Sequence, residues 1–477
     1  MIAANRRPTS LAPEPGSFRD RDSRVFVSGD LVFRALTDTG VAEWEALAAS
    51  DLFEKSNANG ALVATEPASA DVLDELQRLD GEGRWVGALV HERVPFVSYP
   101  YEWSFTMLKD AGLLQLRLLT AALAEGLTLK DATPYNVQWR GARPVFVDLG
   151  SFERLRDGEP WVGYRQFCML FLYPLMLEAY RGVPFQPWLR GSIDGISPTD
   201  VRALFRRSDV VRKGMLRHVF LHSSLEGRYA SRGRELRGEL HRAGFDRRLV
   251  EANVEGMTKL LCRLQTPPRT SAWADYRSTC TYDEREAAQK EDFVQRVVGR
   301  RRRGIVWDLG CNDGRFSRIA GTSSELVVAI DSDRHVIDAL YSSLSSEGNR
   351  KILPLVVDLS DPSPAIGWSN AERATLIDRG RPELVLCLAL VHHLSIAGNV
   401  PLREVVTWLR GLDSEIVVEF PDREDPMAQR LLGAKRDDAN PDYSRETFEA
   451  LLRATFATVH SAELATGTRT LYHALPG

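Results

Sequence analysis

Cysteine is scarce in this chain, with five among 477 residues. Cys168, Cys262, Cys280, Cys311 and Cys387 are scattered, odd in number and never spaced as CxxC. That excludes a disulfide framework and a cysteine-rich zinc module, and a reducing cytoplasm is the expected compartment. Long hydrophobic runs are missing too. The longest, FCMLFLYPLML from Phe167 to Leu177, contains Pro174 and reaches about half the ~20 residues of a membrane-spanning helix, so it reads as a buried helix. The opening MIAANRRPTSLAPEPGSF lacks the apolar core of a secretory signal, and its Pro, Ser and Gly predict a flexible lead-in. Neither charge sign dominates: 61 basic against 65 acidic residues leave a net charge of -4. No repeat recurs at a 20 to 50 residue period, which argues against solenoids and propellers.

What is present is an ordinary globular composition, 44% hydrophobic and 26% charged, with enough chain for two large domains or three of ordinary size. The order of elements predicts a flexible lead-in over 1–23, a first domain over 24–266 and a second over 267–477. Short strand-like pieces such as RVFVSG, LVFRAL, GALVHE and VPFVSY, with one helix around Val41 to Lys55, make a small sheet-rich lobe of 24–101. Leucines at three- and four-residue spacing from Leu108 to Leu123, stopped by Gly126, open a mostly helical lobe of 102–266. Positions 201 to 250 hold 13 Lys+Arg against 5 Asp+Glu, so 13 − 5 = +8. Such a stretch is either a solvated helical face or a phosphate-facing surface. Thr266, Pro267 and Pro268 form the expected linker, because paired prolines end a helix.

Beyond Gly304 the texture changes. Apolar runs IVWDLG, LVVAID, ILPLVVD, ELVLCLAL and EIVVEF alternate with helical stretches, predicting an α/β unit with a mainly parallel sheet and an antiparallel closing edge. The segment VWDLGCNDGRFSRIA is a buried strand ending at Asp308, then a turn with Gly310 and Gly314 that lets a ligand approach the backbone. The next strand delivers Asp331 about 20 residues later, placed to accept hydrogen bonds from ribose hydroxyls. A third strand is expected to end at Asp358, near an adenine. The fourth delivers His392 and His393, the fifth Glu419 and Asp422.

The set DLGCNDG, AIDSD, VVDLS, ALVHHL and VVEFP resembles class I S-adenosylmethionine-dependent methyltransferases, and in particular the bacterial group that includes host-specific nodulation proteins. The resemblance covers roughly Tyr276 to Gly477 and implies a Rossmann-like seven-stranded sheet. It implies that Asp308, Gly310 and Gly314 shape the methionine side of an S-adenosylmethionine pocket, that Asp331 holds the ribose, and that Asp358 and Leu359 flank the adenine. Asn312 replaces a frequent glycine, a departure that a short polar side chain tolerates in a left-handed turn. Tyr282 stands where related enzymes have a lid over the cofactor, and the alternative for it is an aromatic packing contact. His392 or His393 is the expected base for a hydroxyl or ammonium acceptor, unless the pair only caps the following helix. Glu419 and Asp422 are further candidates for acceptor orientation.

In the first domain, TLKDATPYNVQWRGARPVFVDLGSF sets Asp131 five residues before Asn136, and Asp148 12 further on. In phosphoryl transfer one Asp orients the attacking hydroxyl while an Asn and a second Asp hold magnesium on the phosphates. This spacing resembles the catalytic loop and metal-binding Asp of protein-kinase-like folds and implies an Mg–ATP site with Asn136 and Asp148 as metal ligands. Several parts depart from that pattern: Leu129 replaces the usual histidine, no Gly-rich loop precedes the second strand, and no Lys stands clearly on a third strand with a helix Glu partner. Alternatively, Asp131 caps a turn and Asp148 satisfies backbone amides.

The reading that follows is a cytoplasmic methyltransferase of a small-molecule acceptor with a degenerate kinase-like partner domain. The rivals are a bifunctional kinase-methyltransferase, a nucleic-acid methyltransferase using the basic region, and an NAD-dependent dehydrogenase. Nucleic acid and membrane are not the expected partners, and the sequence is silent on oligomeric state.

Overall fold

Two compact units make up the chain in the computed structural model, which describes residues 10–80, 83–156, 158–224, 247–267, 284–436 and 440–477. One unit takes in residues up to 139, 144–268 and 366–373, and the other 140–143, 269–365 and 374–477.

In the first unit, β1 (Ala12–Pro13), β2 (Ser23–Ser28), β3 (Leu31–Leu36), β4 (Thr65–Pro67) and β5 (Gly87–Glu92) form an antiparallel sheet of order β1-β2-β3-β5-β4. Alternation decides its faces. Leu31, Phe33 and Ala35 join Phe26, Val90 and Trp85 against Val72 and Leu76 of helix Ala70–Asp80, so Val32, Arg34 and Leu36 are turned to the opposite face. A charged residue therefore sits mid-strand, away from that core. Within the expected lead-in of 1–23, the described residues hold structure: β1 pairs with β2, and a 3-10 turn spans Pro15–Arg19. The helix expected around Val41 to Lys55 is two, Asp38–Ala48 and Asp51–Ala58, because Ser50 accepts a hydrogen bond from Phe53 N–H and caps a fresh start.

Helix Phe105–Ala124 begins at the Ser104 cap and buries its leucine stripe. Gly126 then turns the chain at φ +74°. Short strands β6 (Leu127–Leu129), β7 (Val137–Arg140), β8 (Arg143–Phe146) and β9 (Phe152–Arg154) carry the loops of interest. The apolar run is one continuous helical rod from Tyr164 to Arg181, widened to a π-turn over Cys168–Leu172 just before Pro174. The wider turn accommodates a residue that has no N–H to donate.

The second unit is a seven-stranded sheet of β10 (Arg303–Leu309), β11 (Ser324–Asp331), β12 (Ile352–Val356), β13 (Leu384–Cys387), β14 (Glu415–Pro421), β15 (Thr458–Glu463) and β16 (Arg469–Leu475). The order is β12-β11-β10-β13-β14-β16-β15. Five strands run parallel, and β16 enters antiparallel between β14 and β15. All seven residues of β14 are buried, as a strand covered on both faces requires. No helix among the described residues is long and apolar enough to cross a membrane.

At the amino end of this sheet, Arg303 Nη2 lies 2.6 Å from Glu415 Oε2, and His473 Nε2 lies 2.7 Å from Glu415 Oε1. Burial alone would raise the Glu415 pKa, but His473 and Arg303 pull it down to about 2 from its ordinary 4.5. A carboxylate whose folded pKa is depressed stabilises the fold above its unfolded pKa and loses that contribution as the pH falls through the folded value. Thermal unfolding should therefore show a fall in stability between pH 4.5 and about 2, and Glu415→Gln should flatten that part of the profile. An unchanged pH dependence in the variant would refute the assignment.

Candidate active site

From β10 the chain passes to β11 on one side, while β13 lies on the other. The carboxyl ends of β10 and β13 thus border the crevice where doubly wound sheets take ligands. After β10 the backbone turns left-handed three times, at Gly310 (φ +72°), Asn312 (φ +46°) and Gly314 (φ +76°). A Cβ on Gly314 would stand 2.5 Å from Leu340 Cδ1, so this glycine is fixed by space as well as by φ. The turn is locked to the next strand: Asn312 N–H donates to Asp331 Oδ2 at 3.1 Å, and Asp333 N–H donates to Asp331 Oδ1 at 2.9 Å. The Ser332 amide adds a third hydrogen bond to the half-buried Asp331 carboxylate, which leaves acceptor capacity unused. Burial raises the Asp331 pKa, and the amides oppose the rise.

Asp308, at the end of β10, is buried and accepts from Ser317 Oγ at 2.5 Å. Burial pushes its pKa up to about 6. Leu359 is half-buried, and Asp358 is exposed in a turn, accepting from Ser360 N–H. The third strand, expected to run to Asp358, ends at Val356. Tyr282 lies outside the described residues.

Beyond β13, Ala389 adopts φ +52°, a conformation rare for alanine. It brings His392 and His393 to the first turn after the strand, with ring centroids 4.1 Å apart. His392 is 1% exposed, and neither of its ring nitrogens has a hydrogen-bond partner. Burial holds its pKa well below the ordinary 6.5, aided by His393, Arg469 and Lys290. Half-buried His393 is lowered by burial and by Arg469.

In the first unit, Asp131, Asn136 and Asp148 come from the segment before β7 and the turn after β8. Asn136 Nδ2 donates to Ser151 Oγ at 2.9 Å, and Ser151 Oγ donates to Asp148 Oδ2 at 2.5 Å. Arg34 Nη1 of β3 lies 2.8 Å from Asp148 Oδ1. Asp148 is thus held by a guanidinium on one carboxylate oxygen and a hydroxyl on the other. Burial and the Asp148 charge raise the Asp131 pKa. The Lys130 ammonium pairs with Glu43 of helix Asp38–Ala48 at 3.2 Å. Arg34, Glu43, Trp44, Lys130 and Gly150 line a small pocket here. Among the described residues no cluster of His, Cys, Asp or Glu has metal-holding geometry.

No protein-family model matches the chain. Nodulation protein NoeA of Rhizobium meliloti (strain 1021) is 32% identical over 474 residues, 99% of this chain and 97% of the relative. The chain belongs to the NoeA nodulation-protein family. Among solved structures, N-methyltransferase NodS from Bradyrhizobium japonicum WM9 aligns at 12% identity over 41% of this chain and 99% of its own, with a TM-score of 0.30. The bifunctional kinase-methyltransferase WbdD aligns at 19% identity over 46% of each chain, with a TM-score of 0.29.

In this NoeA-family chain the structure gathers Asp308, Gly310, Asn312, Gly314 and Asp331 at one sheet end. It gives Glu419 a role the sequence did not suggest. Glu419 is fully buried at the carboxyl end of β14, 2.6 Å from Lys290 Nζ and 3.1 Å from Arg469 Nη1. Arg469 continues to Asp425 at 2.6 Å. A carboxylate clamped by two cations is not a free base, so the catalytic part that the sequence offers to Glu419 beside the two histidines does not fit its surroundings. Asp422 is paired with Arg445 at 3.1 Å. Arg469, Asp425 and Arg34 escaped sequence reasoning because their partners are far along the chain. Removing one partner of a buried pair costs ~3–5 kcal/mol, whereas replacing both by apolar groups costs much less. Urea denaturation should therefore find Lys290→Met strongly destabilised and Lys290→Met/Glu419→Leu less so. A double variant worse than the single would refute this account.

Proposed function

We propose that the second unit is an S-adenosylmethionine-dependent methyltransferase of a small-molecule acceptor, methylating oxygen or nitrogen, and that the first is a kinase-like unit without phosphoryl transfer. The observation that carries the reading is the left-handed Gly310-Asn312-Gly314 turn bonded to Asp331 at the sheet's switch point. The antiparallel β16 between β14 and β15 supports it over a dehydrogenase, whose dinucleotide sheet has six strands in the order 3-2-1-4-5-6.

Residues at this sheet end fit the cofactor. Asp331 keeps acceptor capacity beyond its amide bonds, the glycine turn leaves backbone open to close approach, and buried His392 has two ring nitrogens without a partner in the chain. S-adenosylmethionine, when bound, supplies a methyl group on a sulfonium that already carries its leaving group. The chain's own part is to align the acceptor and exclude water. Gly310, Asn312 and Gly314 would border the methionine part, Asp331 would accept from the ribose hydroxyls, and Leu359 would flank the adenine. His392 and His393, kept neutral by burial, have a lone pair available to take the proton of a hydroxyl or ammonium acceptor.

Calorimetry tests the cofactor. Wild type should bind S-adenosylmethionine, and Asp331→Ala should lose ~1.5–3 kcal/mol for each charge-assisted hydrogen bond removed. Binding of NAD with indifference to S-adenosylmethionine would overturn the reading.

Single-turnover methyl transfer tests the base. With a hydroxyl acceptor, His392→Gln or His393→Gln should slow transfer by ~10²–10⁴, with cofactor affinity unchanged, for whichever histidine takes the proton. Because both histidines stay neutral below the ordinary pH 6.5, the acid limb of the pH profile should lie below that value. If both variants are silent with such an acceptor, no histidine serves as the base.

A further inference from the structure

The first unit places an arginine where a divalent cation would be held. Arg34 stands on β3, opposite Leu89 of β5 and on the face turned away from the Val72 and Leu76 core. Its side chain is 10% exposed, and Nη1 reaches both Asp148 Oδ1 at 2.8 Å and Ser23 Oγ at 3.0 Å. Every hydroxyl around it has a consistent role. Ser23 accepts from Arg34 and donates to Asp20 Oδ2 at 2.6 Å, while Ser151 accepts from Asn136 and donates to Asp148 Oδ2 at 2.5 Å. The chain Asp20, Ser23, Arg34, Asp148, Ser151, Asn136 is thereby closed, with one donor proton per hydroxyl.

We propose that Arg34 is a built-in counter-cation that takes the place of a divalent metal at Asp148, so that this unit is metal-independent. The inference rests on the kinase-like reading of the unit for the choice of metal. Magnesium requires near-octahedral oxygen ligands at about 2.0–2.1 Å. A metal on either oxygen of Asp148 would have to share it with the Arg34 guanidinium or the Ser151 hydroxyl and would stand beside the guanidinium charge. A guanidinium cannot leave by losing its proton, because its pKa lies far above neutrality. Displaced from Asp148, it would be a buried cation facing a second one. A lysine, flexible and able to deprotonate when buried, would not impose this constraint.

Manganese(II) binding to the full chain, followed by electron paramagnetic resonance, tests the proposal with Mn²⁺ alone as the probe. Wild type and Asp148→Asn should bind Mn²⁺ identically. Arg34→Gln, which removes the charge and keeps a hydrogen-bonding side chain, should acquire an additional site, and Arg34→Gln/Asp148→Asn should lose it. A wild-type site that disappears in Asp148→Asn overturns the counter-cation while leaving the kinase-like reading in place. A folded Arg34→Gln with no added site overturns both. Should Arg34→Gln fail to fold by circular dichroism, the comparison of wild type with Asp148→Asn decides alone.

Discussion

A carboxylate with no exposed surface, Glu419, holds the second unit's site together. Lys290 brings helix Glu284–Val298 to it, Arg469 brings β16, and Asp425 extends the chain of charges to helix Pro426–Leu432. Four ionised groups buried together are tolerated only because each is compensated, and that compensation fixes geometry more than it adds stability. Glu286 of the same helix reinforces the contact by accepting from Thr466 N–H at 3.2 Å. The fields of Lys290 and Arg469 also reach the neighbouring groups. Lys290 lowers the pKa of Asp308 and of His392, and Arg469 lowers both histidines. Burial does most to keep the imidazoles neutral, and the network that ties a helix to the sheet adds to it.

Strand and turn chemistry of the second unit was readable because it is local. Five apolar runs alternating with helical stretches dictate parallel strands, and Asp308, Gly310, Gly314 and Asp331 fall where the first two of those strands end. The left-handed turn at Asn312 was legible from residue type, whereas the one at Ala389 was not, since alanine gives no sign of positive φ. The pairing of Lys290 with Glu419 spans more than a hundred residues and leaves no local trace. Glu419 stands out in the sequence as a candidate for acceptor orientation, but its neutralisation by Lys290 is a property of the packed sheet.

The first unit was less legible for a related reason. Asp131, Asn136 and Asp148 stand out by spacing, and the expected metal site follows from their identity alone. What alters that expectation is Arg34, which sits in the strand-like piece LVFRAL with nothing to mark it. Its significance appears only when β3 is placed in the sheet and alternation shows which face it takes. The search for a lysine on a third strand passed over an arginine on that strand. Glu43 of the helix after β3 pairs instead with Lys130, in the segment that also holds Asp131.

The two units satisfy buried polarity in opposite ways. In the first, Asp148 meets its counter-charge within the chain, and each serine hydroxyl of the Asp20-to-Asn136 relay accepts one hydrogen bond and donates another. In the second, Asp331 retains acceptor capacity and His392 retains two unpartnered nitrogens behind almost no exposed surface. Unmet buried hydrogen bonds cost ~1–3 kcal/mol each, and a fold keeps such groups where an incoming molecule supplies the partner. By that criterion the crevice at β10 and β13 suits a ligand with hydrogen-bonding groups of its own. Asp131, Asn136 and Asp148 of the first unit are the more conspicuous signal in the sequence, yet it is at the seven-stranded sheet that a buried imidazole keeps both nitrogens unpartnered.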